Sequence, residues 1–394
     1  MRNSPRNFNT TMNPQKFDKQ CIEPFFKDNS NVISVASSNE YAAYLCVYLL
    51  SLKEHARDDK YYDIVILERD ISNDNKRKIV SCVKQDNISI RFYNPSNLFQ
   101  GVNLHISHDY FKEECYYRVA SPAIFNTYRR VIFTDLDLIL QDDISKLYDF
   151  DLQGNAIAAA IEPVWREIYD TNYVISENKI RDYTNEVLGL TNPYDYFNTG
   201  VCIFDVEQCN KENLFNNIVS LINKNKFIYQ EQCAINVYFR ERITKLPPVW
   251  NFELIPELHV SDNYTQYREF EDNAHLLHYL GKRKPWNDPQ AYRAESWWSY
   301  ARLSPFYEII LYNMVAQRSV NLNSVRRVKD ISSIYVLQHS WYYKIKKLRY
   351  KIMKAISFGQ RHLTYKKKYD HIKNLLKDAK SIKKTCCNFL RSYN

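Results

Sequence analysis

Short apolar runs alternate with helix-like segments from about residue 31 to residue 286, and this alternation constrains the fold more than any other feature. The runs are rich in Val, Ile and Phe, which is typical of strands buried in a parallel sheet. The order of segments predicts an α/β fold with a mainly parallel central sheet. The predicted strands are 32–36, 62–67, 88–93, 131–133, 156–161 and 201–204, and the predicted helices are 41–52, 73–83 and 116–125.

The composition indicates a globular protein with one large core and an appendage, or with two modest domains. The chain has 394 residues, of which 45% are hydrophobic, and such a chain can bury a core. No apolar run reaches the length of about 18 residues that a transmembrane helix needs. The first 30 residues lack the apolar block of a secretory signal. The nine cysteines are scattered and predict reduced, structural thiols in a cytoplasmic protein.

Positive charge is concentrated in the C-terminal tail. From Arg326 to Asn394 there are 19 Lys and Arg against three Asp and Glu, a balance of +16, whereas the rest of the chain carries −7. Apolar and aromatic residues recur there at three- and four-residue steps, for example at Trp341, Ile345 and Leu348. This pattern predicts basic amphipathic helices on an anionic membrane surface. The alternatives are ordinary solvated helices packed on the body, or nucleic-acid binding, for which the tail has no recognisable module.

Two carboxylates follow the predicted strand at 131–133, in the segment Thr134-Asp135-Leu136-Asp137. Ligands gather where strands of a parallel sheet end. Residues two apart in an extended segment point the same way, so Asp135 and Asp137 are placed to bind one divalent cation. Such a cation most naturally neutralises a diphosphate. The pattern is not unique, because Asp149-Phe150-Asp151 repeats it.

A second polar segment, His278 to Trp286, follows the apolar stretch 274–277. His278 is a candidate nitrogen ligand for a metal. Gly281 lets a backbone approach a phosphate closely, and Lys284 is a compact cation for a diphosphate oxygen. A surface histidine before a Gly and Pro turn is the structural alternative.

Two further segments carry side chains suited to binding sugar hydroxyls. Asn198 precedes Gly200 at the start of a predicted strand, and its amide can bind a hydroxyl without becoming charged. Glu231 and Gln232 supply a carboxylate and an amide. Each segment alone is equally typical of a helix cap or a solvated face.

Taken together and in this order, the four segments resemble glycosyltransferase family 8, the glycogenin-like enzymes, over about residues 31 to 300. The resemblance extends to the first strand and loop (36–47), to Gln230-Glu231-Gln232 and to the segment 295–300. It is greatest to the bacterial lipooligosaccharide galactosyltransferases and lipopolysaccharide core hexosyltransferases. Those enzymes have a GT-A fold, which is Rossmann-like, use a UDP-hexose and manganese, and retain the anomeric configuration.

The resemblance implies roles for individual residues. Asp135, Asp137 and His278 are the implied metal ligands, with Leu136 between the two aspartates at the donor. Tyr41 stacks on uracil, Ala36 and Ser38 line the nucleoside pocket, and Arg118 touches the donor sugar or diphosphate. Asn198, Glu231 and Gln232 surround the transferred hexose as the catalytic group, and Glu162 lies near the acceptor. Gly281 and Lys284 hold the diphosphate.

This sequence departs from the family pattern at three positions. Ser38 stands where the family often has Asp, Glu231 replaces an Asp, and Cys233 replaces a second Asp. These departures concern the substrate and leave the metal and diphosphate set complete.

The sequence therefore predicts a polar N-terminal extension (1–30), a GT-A catalytic domain (31–290) and a basic aromatic helical C-terminal region (291–394). The predicted function is metal-dependent, retaining transfer of galactose or glucose from a UDP-sugar, with Mn²⁺ or Mg²⁺, to a lipopolysaccharide or lipooligosaccharide acceptor. The protein is predicted to be cytoplasmic and to bind peripherally to the inner face of the cytoplasmic membrane. No nucleic-acid partner is expected. The alternatives are a glycogenin-like or protein-modifying glucosyltransferase and a non-catalytic membrane-surface adaptor.

Overall fold

A seven-stranded sheet in the order β10-β6-β9-β4-β1-β2-β3 forms the centre of the fold. The computed structural model describes residues 22–105, 112–175, 178–255 and 267–326, and helical positions at 347–348, 351, 353, 366–370 and 372–373. Its strands are β1 (Asn31–Ala36), β2 (Tyr62–Leu67), β3 (Ile88–Tyr93), β4 (Arg130–Thr134), β6 (Ile157–Ile161), β9 (Phe197–Asp205) and β10 (Thr244–Lys245).

The sheet is mainly parallel, as the sequence predicts. β1 pairs in parallel with both β2 and β4, and β2 with β3. All six residues of β2 are buried, which explains why Ile64 to Leu67 form a continuous apolar run and not an alternating one. β9 is antiparallel to both β4 and β6, a reversal that the apolar pattern does not reveal.

A three-stranded sheet in the order β11-β12-β5 lies next to the end of β4. It contains β5 (Leu138–Leu140), β11 (Phe252–Glu253) and β12 (Leu276–His278). β5 is antiparallel to β12, with Leu138 opposite His278. The chain therefore passes from one sheet to the other through residues 135–137, and this passage forms the turn that carries the two aspartates. The remaining strands, β7 (Val174–Ile175) and β8 (Asn178–Lys179), form a short hairpin.

Ten α-helices connect and flank the strands in the described part of the chain. They are α1 (Ala42–His55), α2 (Asn73–Val83), α3 (Tyr117–Ile124), α4 (Pro163–Asp170), α5 (Ile180–Asp182), α6 (Val206–Lys211), α7 (Leu214–Lys224), α8 (Gln230–Phe239), α9 (Ala294–Ala301) and α10 (Tyr307–Arg326). The predicted helices correspond to α1, α2 and α3. Among the described residues, no helix has both the length and the apolarity needed to cross a membrane.

The chain divides into two compact units, Met1–Tyr312 and Asn313–Asn394. In the first, α1 is buried along most of its length and packs against aromatic rings from beyond residue 285. The Tyr44 ring stacks on Trp286 with centroids 4.4 Å apart, and Trp297 of α9 lies 6.2 Å from it. Of the second unit, most of the basic tail lies outside the described residues.

The N-terminal segment 22–30 is attached to the first unit by hydrogen bonds. The Phe25 amide donates to the buried Asp63 carboxylate at 3.0 Å, and the Glu23 carbonyl accepts from Arg91 and Tyr128. Residues 1–21, most of the predicted extension, lie outside the described part of the chain.

Candidate active site

The two aspartates lie at the turn between β4 and β5, where the backbone holds both of them. The Asp135 amide donates to the Gly200 carbonyl at 2.8 Å, and the Asp137 carbonyl accepts from the Tyr279 amide at 3.0 Å. The Asp135 and Asp137 side chains are 30% and 19% exposed. A ligand approaching from solvent can therefore reach both carboxylates. Leu136 lies between them and is half-buried.

His278 at the end of β12 meets this turn, as the resemblance implies. Its Nε2 atom lies 3.2 Å from Asp137 Oδ1 and 3.9 Å from Asp135 Oδ2. The other ring nitrogen, Nδ1, lies 2.8 Å from Asn251 Oδ1. The ring is 1% exposed, and its Nε2 atom has no hydrogen-bond partner.

These three residues fit a divalent cation. One ligand atom from each of Asp135, Asp137 and His278 lies within 4.8 Å of the others, and this is the one such group of three or more in the described part of the chain. Adjacent ligands of an octahedral cation are about 3 Å apart, close to the shorter distances here. The two carboxylates suit Mg²⁺ or Mn²⁺, and the buried imidazole nitrogen without a hydrogen-bond partner adds a ligand typical of a transition metal.

Lys284 lies on the other side of Asp137. Its Nζ atom donates to Asp137 Oδ2 and to the Tyr279 carbonyl. Burial alone would raise the pKa of Asp137, but the Lys284 ammonium, the largest opposing influence, holds that pKa well below its usual range. Asp137 is therefore ionised at neutral pH. Gly281 lies in the turn between His278 and Lys284 with a φ of +72°, a conformation that favours glycine.

Arg118 of α3 joins two carboxylates of the site, Asp135 and Glu231. It is 4% exposed. Its Nη2 donates to Asp135 Oδ1 at 2.6 Å, its Nε lies 3.2 Å from Glu231 Oε1, and its Nη1 donates to the Thr199 carbonyl. The resemblance implies a donor contact for Arg118. That contact stays a prediction, and in this structure the guanidinium pairs with Asp135 and Glu231.

Asn198 and Glu162 form a buried pair beside the metal candidates. Asn198 Nδ2 donates to Glu162 Oε2 at 2.7 Å, and Asn198 Oδ1 accepts from the Gly200 amide at 2.7 Å. Glu162 also caps α4 by accepting from the Val164 amide. The resemblance assigns Asn198 to the hexose and Glu162 to the acceptor, and the structure brings these two residues together.

Glu231 and Gln232 begin α8 and face the same region. Burial raises the pKa of Glu231 to about 7, although the Arg118 charge acts in the opposite direction. Gln232 Oε1 accepts from the Thr199 amide at 3.1 Å and from its hydroxyl at 3.2 Å. Cys233 is fully buried, and its Sγ lies 3.2 Å from the Tyr196 hydroxyl.

The candidate nucleoside residues lie where β1 ends. Ala36 is the last residue of β1, and Ser38 follows in the loop. Ser38 is 8% exposed, and its Oγ has no hydrogen-bond partner. Burial, followed by the Glu40 and Asp137 charges, raises the pKa of Tyr41 to about 12. The Tyr41 ring packs edge-on against the Tyr44 ring, with centroids 5.7 Å apart.

Asn251 and Glu253 escape sequence reasoning, and the sequence names Gly200 without giving it a role toward His278. A Cβ at Gly200 would lie 2.4 Å from His278 Cε1, so glycine is required for the close approach of β9 to the histidine. Asn251 Nδ2 donates to Asn198 Oδ1 at 2.9 Å. Glu253 is fully buried, and burial together with Glu162 raises its pKa well above the usual range. Neither Asn251 nor Glu253 belongs to a local motif.

The second Asp-x-Asp segment is structural. Asp149 is exposed, and its Oδ1 accepts from Arg129 at 2.8 Å. Asp151 caps a turn by accepting from the Gln153 amide. Neither belongs to the group with metal-ligand spacing.

Comparison with known proteins agrees with this geometry. Glycosyl transferase family 8 matches residues 32–290. General stress protein A of Bacillus subtilis (strain 168) is 24% identical over 269 residues, which cover 65% of this chain and 87% of that protein. Glycosyltransferase GlyF of Streptococcus pneumoniae is 24% identical over 330 residues, covering 82% of this chain and 72% of that protein.

Solved structures show the same fold. The bifunctional glycosyltransferase WbbM, in its apo form, has a TM-score of 0.68 and 26% identity, with 75% of this chain and 53% of that chain covered. This chain thus spans about half of the length of WbbM. The galactosyltransferase LgtC, in complex with donor and acceptor sugar analogues, has a TM-score of 0.54 at 24% identity, with coverages of 70% and 96%. The predicted GT-A fold is confirmed, and the chain belongs to glycosyltransferase family 8.

Proposed function

We propose that this glycosyltransferase moves a hexose, galactose or glucose, from a UDP-sugar with retention of configuration, and that it requires Mn²⁺ or Mg²⁺. The observation that carries the proposal is the convergence of Asp135, Asp137 and His278 with the Lys284 ammonium. A nucleotide-sugar donor needs its diphosphate charge neutralised at the bond that breaks.

The donor lies along the residues from the β1 loop to β12. Tyr41 stacks on the uracil, and the unpartnered hydroxyl of Ser38 hydrogen-bonds the nucleoside. Asp135, Asp137 and His278 would hold the cation, which supplies charge neutralisation to the diphosphate. Gly281 and Lys284 bind the diphosphate oxygens directly.

The transferred sugar lies over Asn198, Glu231 and Gln232. When the bond between the anomeric carbon and the diphosphate breaks, negative charge grows on the diphosphate, and the Lys284 ammonium stabilises it. The acceptor hydroxyl attacks from the same face, and the departing phosphate takes its proton. Gln232 Oε1 accepts two hydrogen bonds from Thr199 and Glu231 is paired with Arg118. These engagements favour front-face attack over a covalent intermediate on either residue.

The proposed acceptor is a lipid-linked saccharide of the lipopolysaccharide or lipooligosaccharide class, at the inner face of the membrane. The support is the +16 charge of residues 326–394, which suits an anionic lipid surface. Deletion from Arg326 should abolish binding to anionic phosphatidylglycerol vesicles. Equal vesicle binding by the truncated protein would refute the membrane assignment.

A panel of UDP-sugars, assayed for Mn²⁺-dependent hydrolysis without acceptor, tests the proposal most directly. Asp137→Asn should abolish turnover, whereas Asp149→Asn, at the exposed second Asp-x-Asp segment, should leave turnover unchanged. Turnover by Asp137→Asn at the unaltered rate would remove the metal assignment. A parallel acceptor screen of lipooligosaccharide, glucan and protein distinguishes the lipid-linked acceptor from a glycogenin-like or protein acceptor.

A further inference from the structure

Asn251 lies between the metal-side and the sugar-side residues of the site. It is 1% exposed. Its Oδ1 atom lies 2.8 Å from His278 Nδ1, and its Nδ2 atom donates to Asn198 Oδ1 at 2.9 Å. Asn198 in turn donates to Glu162 at 2.7 Å. A single buried amide therefore connects the candidate metal ligand to the two residues assigned to the sugars.

A backbone group fixes the direction of every hydrogen bond in this series. The Gly200 amide can only donate, and it donates to one atom of the Asn198 side chain at 2.7 Å. That atom must be the oxygen, so the Asn251 group facing it must be the NH₂. The Asn251 oxygen then faces His278, and His278 Nδ1 must carry the proton. The opposite amide orientation would place two acceptors against each other at Asn198.

The consequence for His278 concerns its tautomer. With the proton on Nδ1, the lone pair is on Nε2, which faces Asp137 Oδ1 at 3.2 Å and has no hydrogen-bond partner. A lone pair facing a carboxylate is favourable when a cation lies between them. Groups that orient a ligating histidine in this manner typically change metal affinity by about 10- to 100-fold when removed.

We propose that Asn251 is a positioning residue that sets the tautomer of His278 and at the same time holds Asn198 for the sugar. The inference rests on the proposed function and adds a residue to it. Asn251 touches neither the diphosphate nor the reacting atoms in this role. It acts through His278 on one side and through Asn198 on the other.

Two variants separate these two contacts. Asn251→Asp keeps an acceptor for His278 Nδ1–H but cannot donate to Asn198, so Mn²⁺ affinity should stay within about threefold of the parent value while UDP-sugar hydrolysis falls at least tenfold. Asn251→Leu removes both contacts, so Mn²⁺ affinity should fall about 10- to 100-fold as well. Affinity is measured by calorimetry with Mn²⁺ in the presence of saturating UDP.

Asn87→Leu is the matched control, because Asn87 is another buried asparagine with two hydrogen bonds, to the Arg57 and Lys60 carbonyls. It should lower the melting temperature without changing Mn²⁺ affinity. Unchanged Mn²⁺ affinity in Asn251→Leu would overturn the inference, and so would equal losses of affinity in the Asp and Leu variants.

The tautomer is measured independently of the metal. ¹⁵N-histidine labelling of the metal-free protein, with the His278 signal assigned from a His278→Asn variant, should show the proton on Nδ1 in the parent and a changed tautomer in Asn251→Leu. A parent protein that binds no Mn²⁺ would overturn the proposed function, whereas a proton on Nε2 would overturn this inference alone.

Discussion

Replacing Gly200 with alanine should disable the proposed metal site through a single methyl group. The added Cβ would lie 2.4 Å from His278 Cε1, 2.7 Å from Asn198 Oδ1 and 2.9 Å from His278 Nδ1. Carbon atoms pack at about 3.5 Å or more, so the ring must move by about 1 Å. β9 cannot yield instead, because the Gly200 carbonyl accepts from the Asp135 amide and its amide donates to Asn198.

The expected magnitudes follow from that displacement. Overpacking of this kind costs about 1 to 3 kcal/mol of unfolding free energy. A misplacement of about 1 Å at a reacting centre costs about 100-fold in rate. We therefore expect UDP-sugar hydrolysis to fall about 100-fold and Mn²⁺ affinity, measured by calorimetry with UDP, to fall at least tenfold. Urea unfolding gives the accompanying loss of stability.

Gly154→Ala is the control for a glycine substitution as such. Gly154 has a φ of +79° and no atom within 4 Å of an added Cβ, so alanine there costs about 1 to 2 kcal/mol through backbone strain alone. It should leave Mn²⁺ affinity and turnover unchanged. Parent-like Mn²⁺ affinity and turnover in Gly200→Ala would refute the steric argument.

Three further predictions concern the donor side and the pH dependence. Lys284→Ala should weaken UDP binding at least tenfold in calorimetry, because it removes the ammonium beside Asp137; unchanged affinity would contradict the diphosphate role. Ser38→Ala should weaken UDP binding about fivefold if the buried, unpartnered Oγ bonds the nucleoside, and no change would exclude that contact. The pKa of Glu231 is raised from 4.5 to about 7, so folded protein keeps a proton that the unfolded chain loses. Metal-free protein should therefore lose unfolding free energy between about pH 4.5 and 7, on the order of 3 kcal/mol at most. Urea unfolding with EDTA should show a flatter profile for Glu231→Gln, and an identical profile would count against the pKa shift.

The sequence predicts much of the fold because the information for each strand is local. β2 and β3 occur at the residues that the sequence predicts, since each is a short segment rich in β-branched and aromatic residues between polar turns, although Asp63 interrupts the first and Ser89 and Arg91 the second. The antiparallel direction of β9 depends on its pairing with β4 and β6, and its local pattern carries no sign of direction. β9 also starts at Phe197 and not at the predicted Val201, because its length depends on the same pairing.

The site divides in the same way between local and long-range information. Asp135, Asp137 and His278 belong to short motifs, and the structure brings them together. Asn251 is 53 residues from its partner Asn198, and only tertiary pairing gives it a role. The contacts of Arg118 with Asp135 and Glu231 could not be predicted from the sequence either. They depend on how α3, the turn after β4 and α8 pack together.

The pairing of β5 with β12 has a consequence for how the protein is synthesised. It pairs Leu138 with His278. During synthesis, β5 therefore leaves the ribosome long before its partner strand β12. Chain segments this far apart in sequence pair slowly, since a long loop must close first. A nascent chain that ends before β12 carries Asp135 and Asp137 but lacks the histidine and Lys284. The ribosome therefore completes nearly the whole first unit before Asp135, Asp137 and His278 can come together.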